Sequence, residues 1–446
     1  MLDQEFFARM PEAFTELERN FAALPAWDAS VPGAARMPEV LRESAHRLGD
    51  NYPYFHPLYA GQMLKPPHPL ARMAYTLAMW INPNNHALDG GRATSRMEKE
   101  AVAEIASMCG FATHLGHLTS GGTMANLEAL WVAGALHPDK RIVASDQAHY
   151  THQRITGVLR IPFAEVACDP RGRMDPDALE RRLRAGDVGC VVATAGSTAA
   201  GAVDPLPEIL ELRRRYSFRL HVDAAYGGYF TLAGNLAPET RAALGLLSEA
   251  DSVVIDPHKH GLQPYGCGAV LFRDPAVGKL YQHDSPYTYF TSRELHLGEI
   301  SLECSRPGAA AAALWATQRL LPLTPDGEFA QGLEACHRAA SGLYGKLRED
   351  RDVLTPFEPQ LDIVVWAPRG ATTTEVSRRS REVFERAAES GLHLALAHLP
   401  AAFFAAKYPE LRIERERVAC LRSVLMKPEH EAWVERIWRI LQKSKA

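Results

Sequence analysis

The run Arg219-Leu220-His221-Val222-Asp223-Ala224-Ala225-Tyr226-Gly227-Gly228 decides how this chain reads. It looks like a short strand that ends in an acid and is followed by residues that make a poor helix start. Thirty-six positions after Asp223 comes Lys259, in Asp256-Pro257-His258-Lys259-His260-Gly261. That turn follows a second β-branched run, Ser252-Val253-Val254-Ile255. A carboxylate buried at a strand end needs a positive partner, and a pyridinium N–H is one. A lysine drawn out of water in such a turn becomes nucleophilic. An Asp that keeps a pyridine nitrogen protonated and a Lys that forms a Schiff base are the minimum protein kit for pyridoxal phosphate chemistry.

Working outward, Arg141–Ser145 and Cys190–Thr194 are further short apolar runs, interleaved with helical stretches at Ser95–Met108 and Met124–Ala135. Strands alternating with helices predict an α/β fold with a mostly parallel central sheet covered by helices. Each run closes on a polar residue: Ser145, Thr194, Asp223 and Asp256. Ligands of open α/β sheets bind at that carboxyl edge. Residues 66–310 therefore read as a large ligand-binding domain. Beyond it, helical Pro307–Leu320 and Gly327–Glu349, strand-like Ile363–Trp366 and Val418–Arg422, a helix near 373–390 and a last helix at Glu429–Gln442 predict a smaller α+β domain over 311–446. Residues 1–65 read as helix followed by a Pro- and aromatic-rich stretch, Asn51–Pro57. Such a segment is expected to pack on another surface, such as a second subunit.

With 446 residues, 46% hydrophobic and 23% charged, the chain has the composition of a globular enzyme-sized protein. A net charge of −4 gives no pointer to nucleic acid or an anionic membrane. There is no apolar run long enough for a membrane span, and Met1–Glu5 lacks a basic leader. The seven cysteines are scattered singly with no CxxC, which fits a reduced, cytoplasmic protein.

Thr119-Ser120-Gly121-Gly122-Thr123-Met124-Ala125-Asn126-Leu127 is a Gly-rich turn opening a helix. Backbone N–H groups and the helix dipole favour a phosphate there. No Gly-Lys-Ser/Thr follows, so it is not a Walker loop. His149, just after a strand, could stack on a pyridine face, with small Ala225 opposite; a loop histidine is the plain alternative. The pairs His149/His152 and His258/His260 lack a third ligand at suitable spacing, and no metal is expected.

These motifs together resemble the group II pyridoxal-phosphate decarboxylases of fold type I and the related sphingosine-1-phosphate lyases. The resemblance covers about residues 50–445 and rests on Thr119–Thr123, Ala148–Tyr150, His221–Gly228, Asp256–Lys259 and Ser305–Ala309. It implies that Lys259 carries pyridoxal 5'-phosphate as an aldimine and that Asp223 pairs with the ring nitrogen. His149 would stack on the ring, Thr119, Ser120 and Gly121 would hold the phosphate, and Thr194, Asp256 and His258 would lie close by. It implies decarboxylation of an L-amino acid to an amine by a homodimer with shared active sites. Tyr287 and Tyr289 are candidate proton donors, with aromatic packing as the alternative. Asn82–His86 and Arg422 are candidates for reading the substrate, with a polar loop and a structural ion pair as the alternatives. Cys304 departs from the Gly usual before Ser-Arg. A carbon–carbon lyase, hinted at by Ser305–Gly308, and an aldehyde-forming decarboxylase are the other outcomes.

Overall fold

Short apolar runs become strands when helices can bury both their faces. In the computed structural model, which describes residues 4–27, 30–282 and 296–445, seven such runs form one sheet. They are β1 (Leu115–Thr119), β2 (Arg141–Ser145), β3 (Phe163–Val166), β4 (Val188–Thr194), β5 (Arg219–Asp223), β6 (Ser252–Ile255) and β7 (Gly268–Phe272). Their order is β1-β7-β6-β5-β4-β2-β3. Strands β2 to β6 pair in parallel, and β7 runs antiparallel to both β1 and β6.

The predicted runs at 141–145, 190–194, 220–223 and 252–256 are neighbours in the middle of this sheet. Register then fixes the site: Thr194 pairs with Asp223, and Asp223 with Val254. Three strand ends thus meet at one edge. Strand β7 was not foreseen. The link from β6 to β7 is the lysine-bearing turn itself, with no crossover helix, so the β/α alternation breaks and the strand comes back antiparallel.

The helix Gly122–Leu136 is apolar on almost every side, as suits its position against the sheet. The helices Gly308–Leu320 and Glu328–Glu349 match their predicted spans closely. Leu314, Phe329 and Leu333 from them join the main core with Leu206, Leu220 and Phe230. A second, antiparallel sheet contains β8 (Val353–Leu354), β9 (Ile363–Pro368), β10 (Ala395–Pro400) and β11 (Arg417–Val424), in the order β10-β11-β9-β8. Its own core includes Val364, Trp366, Leu421 and Ile437. Near the start of the chain, the helices Met10–Arg19 and Met37–Leu48 are mostly exposed. Among the described residues no helix is long and apolar enough to cross a membrane.

Candidate active site

The carboxyl edge of the large sheet opens into a cavity of about 340 Å3. Ser120, Gly121, His149, Thr194, Asp223, Ala225, Asp256, His258 and Lys259 all line it, so most of the predicted site residues share one chamber. Thr119 is not among them: it ends β1, and its hydroxyl turns back to donate to the Gly121 carbonyl at 3.0 Å. Tyr287 and Tyr289 lie outside the described residues.

Each wall follows from local sequence. Asp223 is the last residue of β5 and is buried. Its Oδ2 accepts from His152 Nε2 at 3.0 Å and from Asn126 Nδ2 at 3.3 Å, and its Oδ1 accepts from the Ala225 N–H at 3.2 Å. Burial alone would raise its pKa; the His152 hydrogen bond and the charges of His152 and Lys259 outweigh that and hold it below the usual carboxylate range. Asn126 is fixed in turn, its Oδ1 2.8 Å from His221 Nε2. His152 and Asn126 are the main residues the sequence reading missed. His152 was seen only as half of an HxxH pair. Its spacing of three from His149, across the start of the helix Thr151–Leu159, puts both rings on one side of that turn.

Lys259 Nζ lies 2.9 Å from Asp256 Oδ2, and His258 Nε2 lies 3.5 Å from the same oxygen. The His149 Nδ1 is 2.7 Å from the Thr151 hydroxyl, which orients the ring. Burial lowers the pKa of both His149 and His258, favouring neutral imidazoles. At the Gly-rich turn, Gly121 has φ +151°, a conformation that suits glycine. A Cβ on Gly122 would stand 2.7 Å from Asp256 Oδ2, and one on Gly268 would stand 2.5 Å from the Gly121 backbone. The turn therefore sits tight against the lysine loop. The Ser120 N–H donates to Glu303 at 2.9 Å.

Three buried polar atoms of this chamber, Thr194 Oγ1, Asp256 Oδ1 and His258 Nδ1, have no hydrogen-bond partner among the described residues. Buried polar atoms left so are expected to meet a bound group. A lysine amine, a buried ionised carboxylate at a strand end and a glycine turn at a helix start suit, in turn, an aldehyde, a pyridine nitrogen and a phosphate. The residues present fit pyridoxal phosphate.

A family model described as the pyridoxal-dependent decarboxylase conserved domain matches residues 123–368. The chain belongs to this family. The L-tyrosine decarboxylase of Enterococcus faecium is 30% identical over 392 residues, covering 65% of this chain and 64% of that protein. The chain therefore spans slightly less than two thirds of that relative. A probable L-tyrosine/L-aspartate decarboxylase of Methanothermobacter thermautotrophicus is 29% identical over 340 residues, covering 72% of this chain and 86% of that protein. Among solved structures, mouse CSAD superposes with a TM-score of 0.79 at 20% identity, covering 97% of this chain and 91% of that one. Oryza sativa TDC, solved with PLP and tryptamine, superposes with a TM-score of 0.77 at 18% identity, covering 99% and 97%. These two share the fold.

Two other candidates are placed away from the cavity wall. Asn84 and Asn85 knit a buried network: Asn85 Nδ2 donates to Glu98 at 2.6 Å, and Asn84 Oδ1 accepts from the Arg306 N–H at 3.1 Å. The Arg306 guanidinium pairs with Glu98 and donates to the Leu118 carbonyl at 2.8 Å. Arg422 stands one residue behind the wall, donating to the carbonyl of cavity-lining Thr198 at 2.6 Å and to Gln62 Oε1 at 2.7 Å.

Proposed function

We propose that this protein decarboxylates an L-amino acid to the corresponding amine and CO2. The single observation carrying this reading is the meeting of Lys259, Asp256, Asp223 and His149 around one cavity with unpartnered buried polar atoms. When bound, pyridoxal phosphate supplies an electron sink that takes up the pair left by a broken bond at the substrate Cα. Asp223, kept ionised by His152, would hold a proton on the ring nitrogen. Lys259 would anchor the cofactor carbonyl, with Asp256 beside its amine to accept or return a proton. His149 and Ala225 would bound the ring's two faces. The backbone N–H groups of Ser120 and Gly121 would hold phosphate oxygens, with His258 alongside. The reaction takes up one proton per turnover, because a C–H bond at Cα replaces the C–CO2 bond. Tyr287 and Tyr289 remain the candidates for delivering that proton. We also propose a homodimeric assembly.

The relatives named as tyrosine and aspartate decarboxylases suggest the first substrates to try. Mass spectrometry of products from the pyridoxal-phosphate-loaded protein, given a panel of amino acids and one phosphorylated long-chain amino alcohol, tests the reading. The expected result is an amine from one amino acid, abolished in Lys259→Ala. An aldehyde with phosphoethanolamine would instead make the protein a carbon–carbon lyase, a reading disfavoured by the engagement of Arg306 with Glu98. An aldehyde from an amino acid would make it the oxidative variant. Amine production by Lys259→Ala at the wild-type rate would overturn the assignment of the lysine.

A further inference from the structure

A second cavity, of about 280 Å3, lies on the other side of the lysine turn and takes His260 into its wall. Its lining changes with depth. Lys427 and His260 are buried, at 3% and 1% exposure, while Glu328 and Glu429 are exposed at the rim. Apolar Leu262, Phe329 and Leu333 lie along the wall. Lys427 Nζ donates to the Tyr59 carbonyl at 2.6 Å. Lys65, which also lines the cavity, has no hydrogen bond or ion pair among the described residues. Asp362, a buried acid nearby, accepts from Tyr226 on Oδ1 at 2.6 Å, and His260 Nε2 stands 3.2 Å from its Oδ2. Burial, and then the charge of Lys65, push Lys427 down to about 7. Neither lysine makes an ion pair among the described residues; Glu429 acts on both only at longer range, and Asp362 on Lys65. Two amines in a partly dry chamber without a close carboxylate suit an anion.

We propose that this second cavity binds an α-amino acid, with its carboxylate against Lys65 and Lys427, its ammonium toward Glu328 and Glu429, and an apolar side chain along Leu262, Phe329 and Leu333. A simple dianion fits less well, because two carboxylates stand at the rim. The site sits directly behind the first cavity. His260 follows Lys259 in the chain, and Tyr226, which donates to Asp362, lines the first cavity.

The test uses holoenzyme reduced with borohydride, so that amino acids can no longer react at Lys259, and isothermal titration with L-phenylalanine and with 3-phenylpropionate, which lacks the amine. The expected result is one L-phenylalanine per chain, weakened roughly tenfold or more by Lys65→Met and restored by Lys65→Arg. Glu429→Gln should weaken L-phenylalanine but not 3-phenylpropionate, which gains from the loss of a negative charge beside the two lysines. Lys65→Met removes an unpaired charge, so its melting temperature should not fall, which separates lost binding from lost folding. Binding that ignores Lys65→Met would put the ligand in the first cavity and overturn the proposal, as would no saturable heat up to about 10 mM. Because reduced enzyme does not turn over, neither result depends on the proposed decarboxylation.

Discussion

A single carboxylate, Asp223, shows how much one residue depends on distant partners. The sequence marked it as an acid ending a strand, and Lys259 and His149 stood out in the same way, because each lies in a compact motif with its own local logic. Its partner His152 lies 71 positions away, and Tyr226 meets Asp362 across 136. Contacts of that range are made by the fold and leave no local pattern. Asp223→Asn cannot hold a proton on a ring nitrogen by charge, so turnover should fall roughly a hundredfold or more while the protein stays folded; steady-state kinetics beside circular dichroism would check it. His152→Ala removes the hydrogen bond and charge that keep the Asp223 pKa low, while its burial still acts to raise it. The acid limb of the pH–rate profile should therefore move to higher pH in that variant, and an unmoved limb would argue that His152 does not set the ionisation. Glu303 accepts the Ser120 N–H at the proposed phosphate cradle, an acid where an anion is expected. Glu303→Gln should tighten cofactor binding several-fold, on the order of 1 kcal/mol, read by titrating pyridoxal phosphate into apoprotein.

At the scale of elements, β2, β4, β5 and β6 were legible as β-branched runs, while β1, β3 and β7 were hidden. β7 returns antiparallel through the lysine turn, and β1 contains Gly116 and His117, which dilute its apolar pattern. Strand ends need anchoring as well as pairing, and Asp204 does this for β4. It accepts from the Thr194 N–H at 2.7 Å and from the Met174 N–H at 2.6 Å, tying the end of β4 to the chain before the helix Pro176–Leu183. Burial raises its pKa from 3.8 to about 7. The sign follows from proton counting. Between about pH 4 and 7 the folded form keeps a proton that the unfolded chain releases, so stability from this group is fully present below pH 4 and declines as pH rises toward 7. Three pH units at about 1.4 kcal/mol each give an upper bound of about 4 kcal/mol. Asp204→Asn cannot titrate and should show a flatter stability curve over that range in urea unfolding. It should also lose about 1–3 kcal/mol at low pH, because one backbone N–H would face an amide nitrogen. A parallel pair of curves would refute the titration of Asp204.

For the molecule as a whole, the unfinished surface is at the start of the chain. The helix Met10–Arg19 is tied to the body where Phe14 meets Trp80 edge-on, 5.1 Å between ring centres. In this part of the chain Trp27, Leu41, Leu48, Trp80 and Ile81 are exposed. Large apolar side chains gathered in one part of a chain mark a surface that another protein covers. The sequence placed a packing segment there from its helical pattern and aromatics. What it packs on was not legible, because an interface is a property of two chains. A second copy of this chain is the occupant proposed here, and a stable dimer of this kind buries about 1,600 Å2 or more, largely apolar. Sedimentation equilibrium should then give a mass of twice the 49.2 kDa chain. Leu41→Lys combined with Leu48→Lys would place two charges in the contact and should shift the population toward monomer, with little change in the melting of the monomer itself, since both side chains are exposed. If the site is shared between subunits, the monomeric variant should also bind pyridoxal phosphate more weakly. A wild-type chain that sediments as a monomer at micromolar concentration would leave that apolar surface for a different partner.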